Sequence, residues 1–67
     1  MNSELLKRAC ELALARGHEF VVSFETDINQ YVVRTYQEQQ DTFWGEGDTP
    51  DEALADFIAK IDPDAAG

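Results

Sequence analysis

The strongest local signal in this chain is a helix start at residues 47–52, which read Gly-Asp-Thr-Pro-Asp-Glu. Thr49 suits the N-cap position, Pro50 the first helical position and Glu52 the position three residues after the cap, which together form a capping box. The pattern predicts a helix over residues 50–61 with one apolar stripe for burial. That stripe consists of Ala53, Leu54, Phe57, Ile58 and Ile61.

A second helix is predicted near the beginning of the chain, over residues 4–16. Ser3 can cap its N-terminal end, and Gly17 follows it as helix C-termini prefer. Its apolar side chains recur at helical spacing and form one stripe, namely Leu5, Ala9, Leu12 and Ala13.

Three stretches between the helices are rich in β-branched and aromatic residues and predict strands over residues 18–26, 30–38 and 42–46. Asp27-Ile28-Asn29 and Gln39-Gln40-Asp41 are expected to form the turns between them. The element order predicts an α+β fold of αβββα topology, in which both helices pack on one face of a three-stranded antiparallel sheet.

Alternation along the strands predicts which side chains the sheet buries. Those expected to face the helices are Phe20, Val22, Phe24, Tyr31 and Val33. Phe43 and Trp44 are neighbours in the third strand and must point to opposite faces, so one of these large aromatic side chains is expected to be partly exposed. Gly45 and Gly47 are expected to permit the tight turn from this strand into the second helix.

With 67 residues, the chain is long enough for one small domain, which we expect to span residues 1–67. Since 43% of the residues are hydrophobic, we expect this domain to be globular. A domain of this size buries only about 60% of its unfolded surface, so partner binding or dimerisation would add stability. Residues 62–67 are expected to form a flexible tail after Asp62-Pro63 stops the second helix.

Charge is the strongest constraint on what the protein binds. The sequence has 14 acidic and 5 basic residues, a net charge of −9, and residues 25–67 carry all of it. This field repels phosphate backbones and anionic membranes, so we expect neither direct nucleic-acid binding nor membrane binding. A basic protein surface is the partner that it favours. The alternative is that the acidity serves solubility alone.

The sequence offers no catalytic or metal-binding motif, so we expect neither an enzyme nor a cofactor. Cys10 and His18 are the one cysteine and the one histidine, whereas a zinc site needs about four suitable ligands. The longest apolar run, Phe20-Val21-Val22, is far shorter than the roughly 20 residues that span a bilayer. The first residues do not resemble a signal peptide, and a lone cysteine favours a cytoplasmic location, in the bacterial host cell if a phage encodes the protein.

Acidic and aromatic residues fall close together in the second half of the chain. Aromatic anchors inside a charged rim are typical of protein interfaces. The candidate partner-binding residues are Glu25, Tyr36, Glu38, Asp41, Trp44, Glu46, Asp48 and Asp56. The alternative is that Trp44 fills the core and Tyr36 covers an edge of the sheet.

Residues 45–54, Gly-Glu-Gly-Asp-Thr-Pro-Asp-Glu-Ala-Leu, resemble the strand-to-helix junction of HicB-like antitoxin domains. In those domains an aromatic strand leads through Gly-Asp-Thr into a Glu-Ala-Leu helix start. The resemblance implies an antitoxin core that neutralises a small basic toxin. The chain departs from that family by the helix before its first strand.

By type, a short, strongly acidic domain of mixed α/β order is similar to phage-encoded host-takeover proteins, including anti-CRISPR proteins. The αβββα order is also similar to the double-stranded-RNA-binding fold, but the second helix has Lys60 as its one base, so RNA binding is not expected. The leading hypothesis is a small non-enzymatic inhibitor whose carboxylates mimic nucleic acid and block the basic groove of a nucleic-acid-binding complex, such as a CRISPR effector. The alternatives are the antitoxin core and a small structural domain that forms a homodimer through a free sheet edge.

Overall fold

The computed structural model describes residues 2–38 and 40–62. Its elements are, in chain order, α1 (Ser3–Ala15), β1 (Glu19–Glu25), β2 (Gln30–Gln37), β3 (Gln40–Gly47) and α2 (Pro50–Ile61). The three strands form an antiparallel sheet in the order β1-β2-β3. Apolar side chains of both helices pack against one face of that sheet, so the predicted α+β, αβββα fold is confirmed.

The start of α2 follows the predicted capping pattern. Thr49 is the N-cap residue, and its hydroxyl accepts a hydrogen bond from the Glu52 backbone N–H at 3.1 Å. Pro50 occupies the first turn, where its missing N–H leaves no bond unmade. The Glu52 carboxylate accepts from the Asp48 N–H at 3.2 Å, one residue before the group that a capping box normally uses. These two bonds fix the point at which the chain turns from β3 into α2.

Ser3 was expected to cap α1, but the N-cap residue is Asn2, and Ser3 is the first residue of the helix. The Asn2 side-chain oxygen accepts from the N–H groups of Glu4 at 2.9 Å and Leu5 at 3.2 Å. One carbonyl thus satisfies two of the donors that a helix start leaves unpaired. Asparagine caps helices as well as serine does, and the two residues are adjacent here, so the sequence pattern allowed either.

The C-terminal end of α1 lies at Gly17, as predicted. Gly17 has φ 73°, in the left-handed region that glycine adopts readily. Its N–H donates to the Leu14 carbonyl at 3.0 Å, and the His18 N–H donates to the Ala13 carbonyl at 3.0 Å. These two bonds form a Schellman motif, which directs the chain from α1 into β1.

The core lies between the two helices and the sheet. Its buried members are Ala9, Ala13, Val33, Ala53, Leu54, Phe57 and Ile61. Phe20, Val22 and Tyr31 pack against this cluster, as the strand alternation predicts. Phe24, expected there too, lies near the end of β1 and is 46% exposed, which corrects that prediction. Its ring meets Tyr31 edge-on, with 5.0 Å between the ring centres.

The turn between β2 and β3 is shorter than predicted. Gln40 and Asp41, both expected in the turn, belong to β3, and Gln37 pairs with Gln40; residue 39 lies outside the described residues. Glu38 has φ 53° there, a conformation that costs free energy for a residue other than glycine. Gln40 and Asp41 are both polar, so they give no alternation of apolar and polar residues. The sequence pattern therefore predicted a loop where β3 begins.

Gly45 and Gly47 were expected to permit the turn into α2. They lie instead within β3, where they allow α2 to pack close to the strand. Both are buried strand residues. A side chain at Gly45 would collide with the Phe57 backbone, and one at Gly47 would lie 2.6 Å from the Glu52 Cβ. The close approach of helix and strand therefore requires glycine at both positions.

Of the predicted tail, residues 63–67 lie outside the described residues. Asp62 is the C-cap residue of α2, and its carboxylate is 3.0 Å from the Arg8 guanidinium of α1. In the described part of the chain, neither helix is long and apolar enough to cross a membrane.

Candidate binding surface

Both helices pack on one side of the sheet, and we call the opposite side the open face. Because side chains alternate along a strand, the sequence neighbours of the core residues point to it. The open face comprises Glu19, Val21, Ser23 and Glu25 from β1, Gln30, Val32, Arg34 and Tyr36 from β2, and Trp44 and Glu46 from β3. Four of the predicted binding residues thus share one surface, namely Glu25, Tyr36, Trp44 and Glu46.

Arg34 lies at the centre of the open face, opposite Val21 and Trp44 in the strand register. Its guanidinium carbon is 5.7 Å from the centre of the Trp44 ring, a cation–π distance, and its Nη1 is 3.9 Å from a Glu25 oxygen. Its Nε is buried and has no hydrogen-bond partner within the described chain. Since Arg34 and Glu25 are both partly exposed, their ion pair contributes at most about 1 kcal/mol, and packing on Trp44 helps to orient the arginine.

Trp44 is not part of the hydrophobic core, so the alternative in which it fills the core is wrong. Phe43 packs on the core, so the adjacent Trp44 points to the open face, where it is half-buried. Its indole N–H donates to the Glu46 carboxylate at 3.2 Å. The ring thus lies between a cation, Arg34, and a carboxylate, a polar setting that suits an aromatic interface anchor.

Val32 is a small apolar centre of the open face that the sequence analysis missed. It is fully buried although it points away from the helices. Val32 pairs with Ser23 on one side and with Glu46 on the other. The Arg34 side chain passes this position to reach Glu25, and the Trp44 indole bonds to the Glu46 carboxylate. Both side chains thus extend over the part of the face where Val32 lies, so they are placed to shield it from solvent. The sequence signal was the pair of consecutive valines in β2, one for each face of the sheet.

A second group of candidates lies at the end of the sheet where β1 begins and β2 ends. A shallow depression there is lined by Gly17, Glu19, Tyr36, Gln37 and Glu38. Two predicted binding residues, Tyr36 and Glu38, thus lie beside a further carboxylate, that of Glu19. Asp41 pairs with Tyr36 in the strand register, and its side chain lies outside the described part of the chain.

The structure gives Asp56, another candidate, a role in the fold. Its carboxylate accepts the Glu46 backbone N–H at 3.0 Å and lies 3.0 Å from the Lys60 ammonium. Burial raises the pKa of Asp56, but the hydrogen bond from Glu46 and the charge of Lys60 outweigh it, so the pKa lies below its ordinary value. Lys60 also donates to the Trp44 carbonyl at 2.9 Å. This pair on α2 therefore fixes the backbone beneath the open-face residues of β3.

Asp48, the last candidate, lies between β3 and α2. Its carboxylate is 3.5 Å from the Gln30 amide nitrogen, and its backbone N–H takes part in the α2 cap. Among the side chains that the structure describes, no three of His, Cys, Asp or Glu are grouped closely enough to hold a metal ion.

Comparisons of the chain with profiles of known protein families, with curated proteins and with solved structures gave no match. The functional proposal therefore depends on the chemistry of this chain's own residues.

Proposed function

We propose that this protein is a small, non-enzymatic acidic binding protein that inhibits a nucleic-acid-binding protein or complex by occupying its basic groove. The observation that supports the proposal is the open face, where Trp44 and Tyr36 lie among carboxylates on a surface that neither helix covers. A CRISPR effector complex is the most specific target of this kind, in line with the resemblance to anti-CRISPR proteins. The action is steric competition and includes no chemical step.

The sheet holds its carboxylates at fixed spacings, as a mimic of a phosphate array requires. Side chains on one face recur about every 6.6 Å along a strand, and adjacent strands lie about 4.8 Å apart. Glu19 and Glu25 on β1 and Glu46 on β3 thus project from separate points of an ordered frame. A flexible acidic segment would lose conformational entropy on binding, whereas this face is already ordered.

Charge and aromatic contact make different contributions to such binding. The net charge of −9 steers a cationic partner toward the protein and raises the association rate. Trp44 supplies contact area of the kind that dominates binding energy at interfaces. We expect the affinity to fall with salt, because the screening length is about 8 Å at physiological ionic strength and shorter above it.

A HicB-like antitoxin core that neutralises a small basic toxin is the second candidate. The observation that favours it is the junction at residues 45–54, where β3 leads through the Thr49 cap into α2. The two candidates differ in the partner, which is a protein of similar length for the antitoxin and a large nucleic-acid-binding assembly for the inhibitor.

The test is capture of partners on the tagged protein from nuclease-treated bacterial lysates, with elution by a salt gradient and identification by mass spectrometry. The surface variant combines Glu38→Lys with Glu46→Lys, and its matched control combines Glu4→Lys with Glu11→Lys. All four side chains are exposed, and the two variants have the same net charge. Far-UV circular dichroism checks that each variant is folded.

We expect the wild type and the control to capture a large nucleic-acid-binding protein or complex that rising salt releases, and the surface variant to capture little of it. A single small basic protein in place of that complex would favour the antitoxin. Equal capture by all three proteins, or capture that salt does not weaken, would contradict the proposal.

A further inference from the structure

The two edges of the sheet differ in how their backbone groups are covered. The Trp44 carbonyl and the Glu46 N–H both bond to side chains of α2, which places the backbone groups of these two residues at the outer edge of β3. At that edge Lys60 donates to the Trp44 carbonyl at 2.9 Å, and the Glu46 N–H donates to Asp56 at 3.0 Å. Side chains from α2 thus occupy the positions at which a further strand would bond to β3.

β1 lacks these protections. In the sheet that the described residues form, β1 has a strand neighbour on one side alone. Its sequence, Glu-Phe-Val-Val-Ser-Phe-Glu, contains neither proline nor lysine, and its pairing with β2 continues from Glu19 to Glu25 without a register shift. Edge strands that do not bind another chain usually carry a proline, a bulge or charged side chains, and β1 has charges at its two ends alone, Glu19 and Glu25. A straight, seven-residue edge of this kind is a template for strand addition.

β1 is also incompletely covered by the rest of the fold. None of its residues is fully buried, although four of the seven are Phe or Val, whereas β2 has three buried residues. Phe24 is 46% exposed, and Ile28, in the turn that follows β1, is 45% exposed. Apolar surface therefore continues from the strand edge into the adjoining turn, where an added strand would bury it.

We infer that the outer edge of β1 is a second binding site, which takes an extended, cation-flanked segment of a partner protein as a fourth strand. Glu19 and Glu25 lie at the two ends of the strand, so an occupant with Lys or Arg opposite each would form cross-strand ion pairs. Between these ends, positions beside Phe20, Val22 and Phe24 favour apolar residues, and those beside Val21 and Ser23 face the open side. This site differs from the open face in using the outer backbone edge of β1, although the two surfaces share the side chains of Glu19 and Glu25.

The charges favour this occupant over a second copy of the chain. In antiparallel self-pairing over the full strand, centred on Val22, Glu19 of each copy would face Glu25 of the other. Like charges directly opposite each other are destabilising, and each copy carries a net charge of −9. A basic segment removes both repulsions.

The probe is the palindromic peptide acetyl-Lys-Ile-Thr-Val-Thr-Ile-Lys-amide, which can pair in either direction. It is titrated into the ¹⁵N-labelled protein, with chemical shifts and amide hydrogen exchange recorded for each residue. We expect shifts and slowed exchange in residues 19–25 and not at the outer edge of β3. N-methylation of the central valine, which removes a backbone donor, should weaken binding about tenfold. Glutamate in place of both lysines should weaken it about tenfold as well.

A matched pair of protein variants repeats the charge test from the other side. Glu19→Lys should weaken binding of the lysine peptide about threefold or more, whereas Glu11→Lys, which makes the same change on an exposed position of α1, should not. Equal binding of the N-methylated peptide, or shifts confined to the open-face residues of β2 and β3, would overturn the inference. A peptide-free dimer in sedimentation with the β1 amides protected would overturn it in favour of a second copy. The peptide comparisons need no variant of the protein and so do not depend on how a variant folds.

Discussion

Gly45→Ala should destabilise the fold because β3 and α2 are in backbone contact at that position. An added Cβ would meet the Phe57 backbone nitrogen and lie 2.6 Å from both Cα and Cβ of Phe57, roughly 1 Å inside ordinary van der Waals contact. Overpacking of this kind costs about 1–3 kcal/mol, and here the upper end applies, since backbone atoms cannot rotate away. Alanine recovers about 0.4–1 kcal/mol by restricting the unfolded chain, so the net loss is about 2 kcal/mol.

That loss is large for a chain of this length. A stability of about 0.05–0.15 kcal/mol per residue corresponds to roughly 3–10 kcal/mol in total. For so small a domain, a loss of 2 kcal/mol lowers Tm by about 8–16 °C. Thermal and urea unfolding followed by circular dichroism measure both quantities.

Gly17→Ala is the matched control for the Gly45 prediction. An added Cβ there meets no atom within 4 Å, so its cost comes from φ 73° alone and is about 1 kcal/mol. Gly45→Ala should therefore melt well below Gly17→Ala. If Gly45→Ala is as stable as the wild type, or more stable than Gly17→Ala, the account of how α2 packs on β3 is wrong.

Three further substitutions test the turn, the open face and the edge of β3. Glu38→Gly should raise the free energy of unfolding by about 0.5–1 kcal/mol, because glycine adopts φ 53° without strain. Urea unfolding measures this change, and a lower free energy of unfolding in the variant would show that the Glu38 backbone is not strained. Val32→Ala should cost about 2 kcal/mol, as much as Val33→Ala in the main core, because both valines are fully buried; a cost near zero would show that Arg34 and Trp44 do not enclose Val32. The pKa of Asp56 is lowered, so its carboxylate stabilises the fold above the ordinary pKa of 3.8, and this contribution is lost as the pH falls through the lowered pKa. Asp56→Asn should thus be less stable than the wild type at neutral pH, with a difference that shrinks below about pH 3.8 in acid unfolding; a difference that is constant with pH would refute this role.

The features that the sequence predicts well are local in origin. The Thr49 cap, the Gly17 helix end and the alternation in β1 each depend on residues within a few positions of one another. The fold class follows from them because two amphipathic helices and three strands have few ways to bury their apolar faces.

The features that the sequence does not reveal depend on residues that are distant in the chain. The need for glycine at Gly45 arises from Phe57, which lies on a different element. The Asp56–Lys60 cover of β3 likewise joins α2 to the backbone of a strand. The acidic residues of the second half of the chain therefore suggested Asp56 as a binding residue, and the sequence pattern could not show which edge of the sheet is free.

The open face joins two kinds of residue that sequence reasoning treated separately. Trp44 and Glu46 were predicted as contacts, whereas Arg34 and Val32, which lie on the central strand on the same face, were not. Alternation from Tyr31 and Val33 puts Arg34 on the face away from the helices, but its contact with the Trp44 ring depends on the β2–β3 register, which includes a shift between Thr35 and Tyr36.

The most direct test of the proposed function uses the Trp44 indole as a reporter, since the chain has one tryptophan and its indole N–H gives one signal. The ¹⁵N spectrum is recorded with and without the partner identified by lysate capture. If the open face is the binding surface, the Trp44 indole and the amides of Arg34 and Glu46 shift, and added salt reverses the shifts. Shifts confined to α1 and the outer surface of α2, with the indole signal unchanged, would contradict the account.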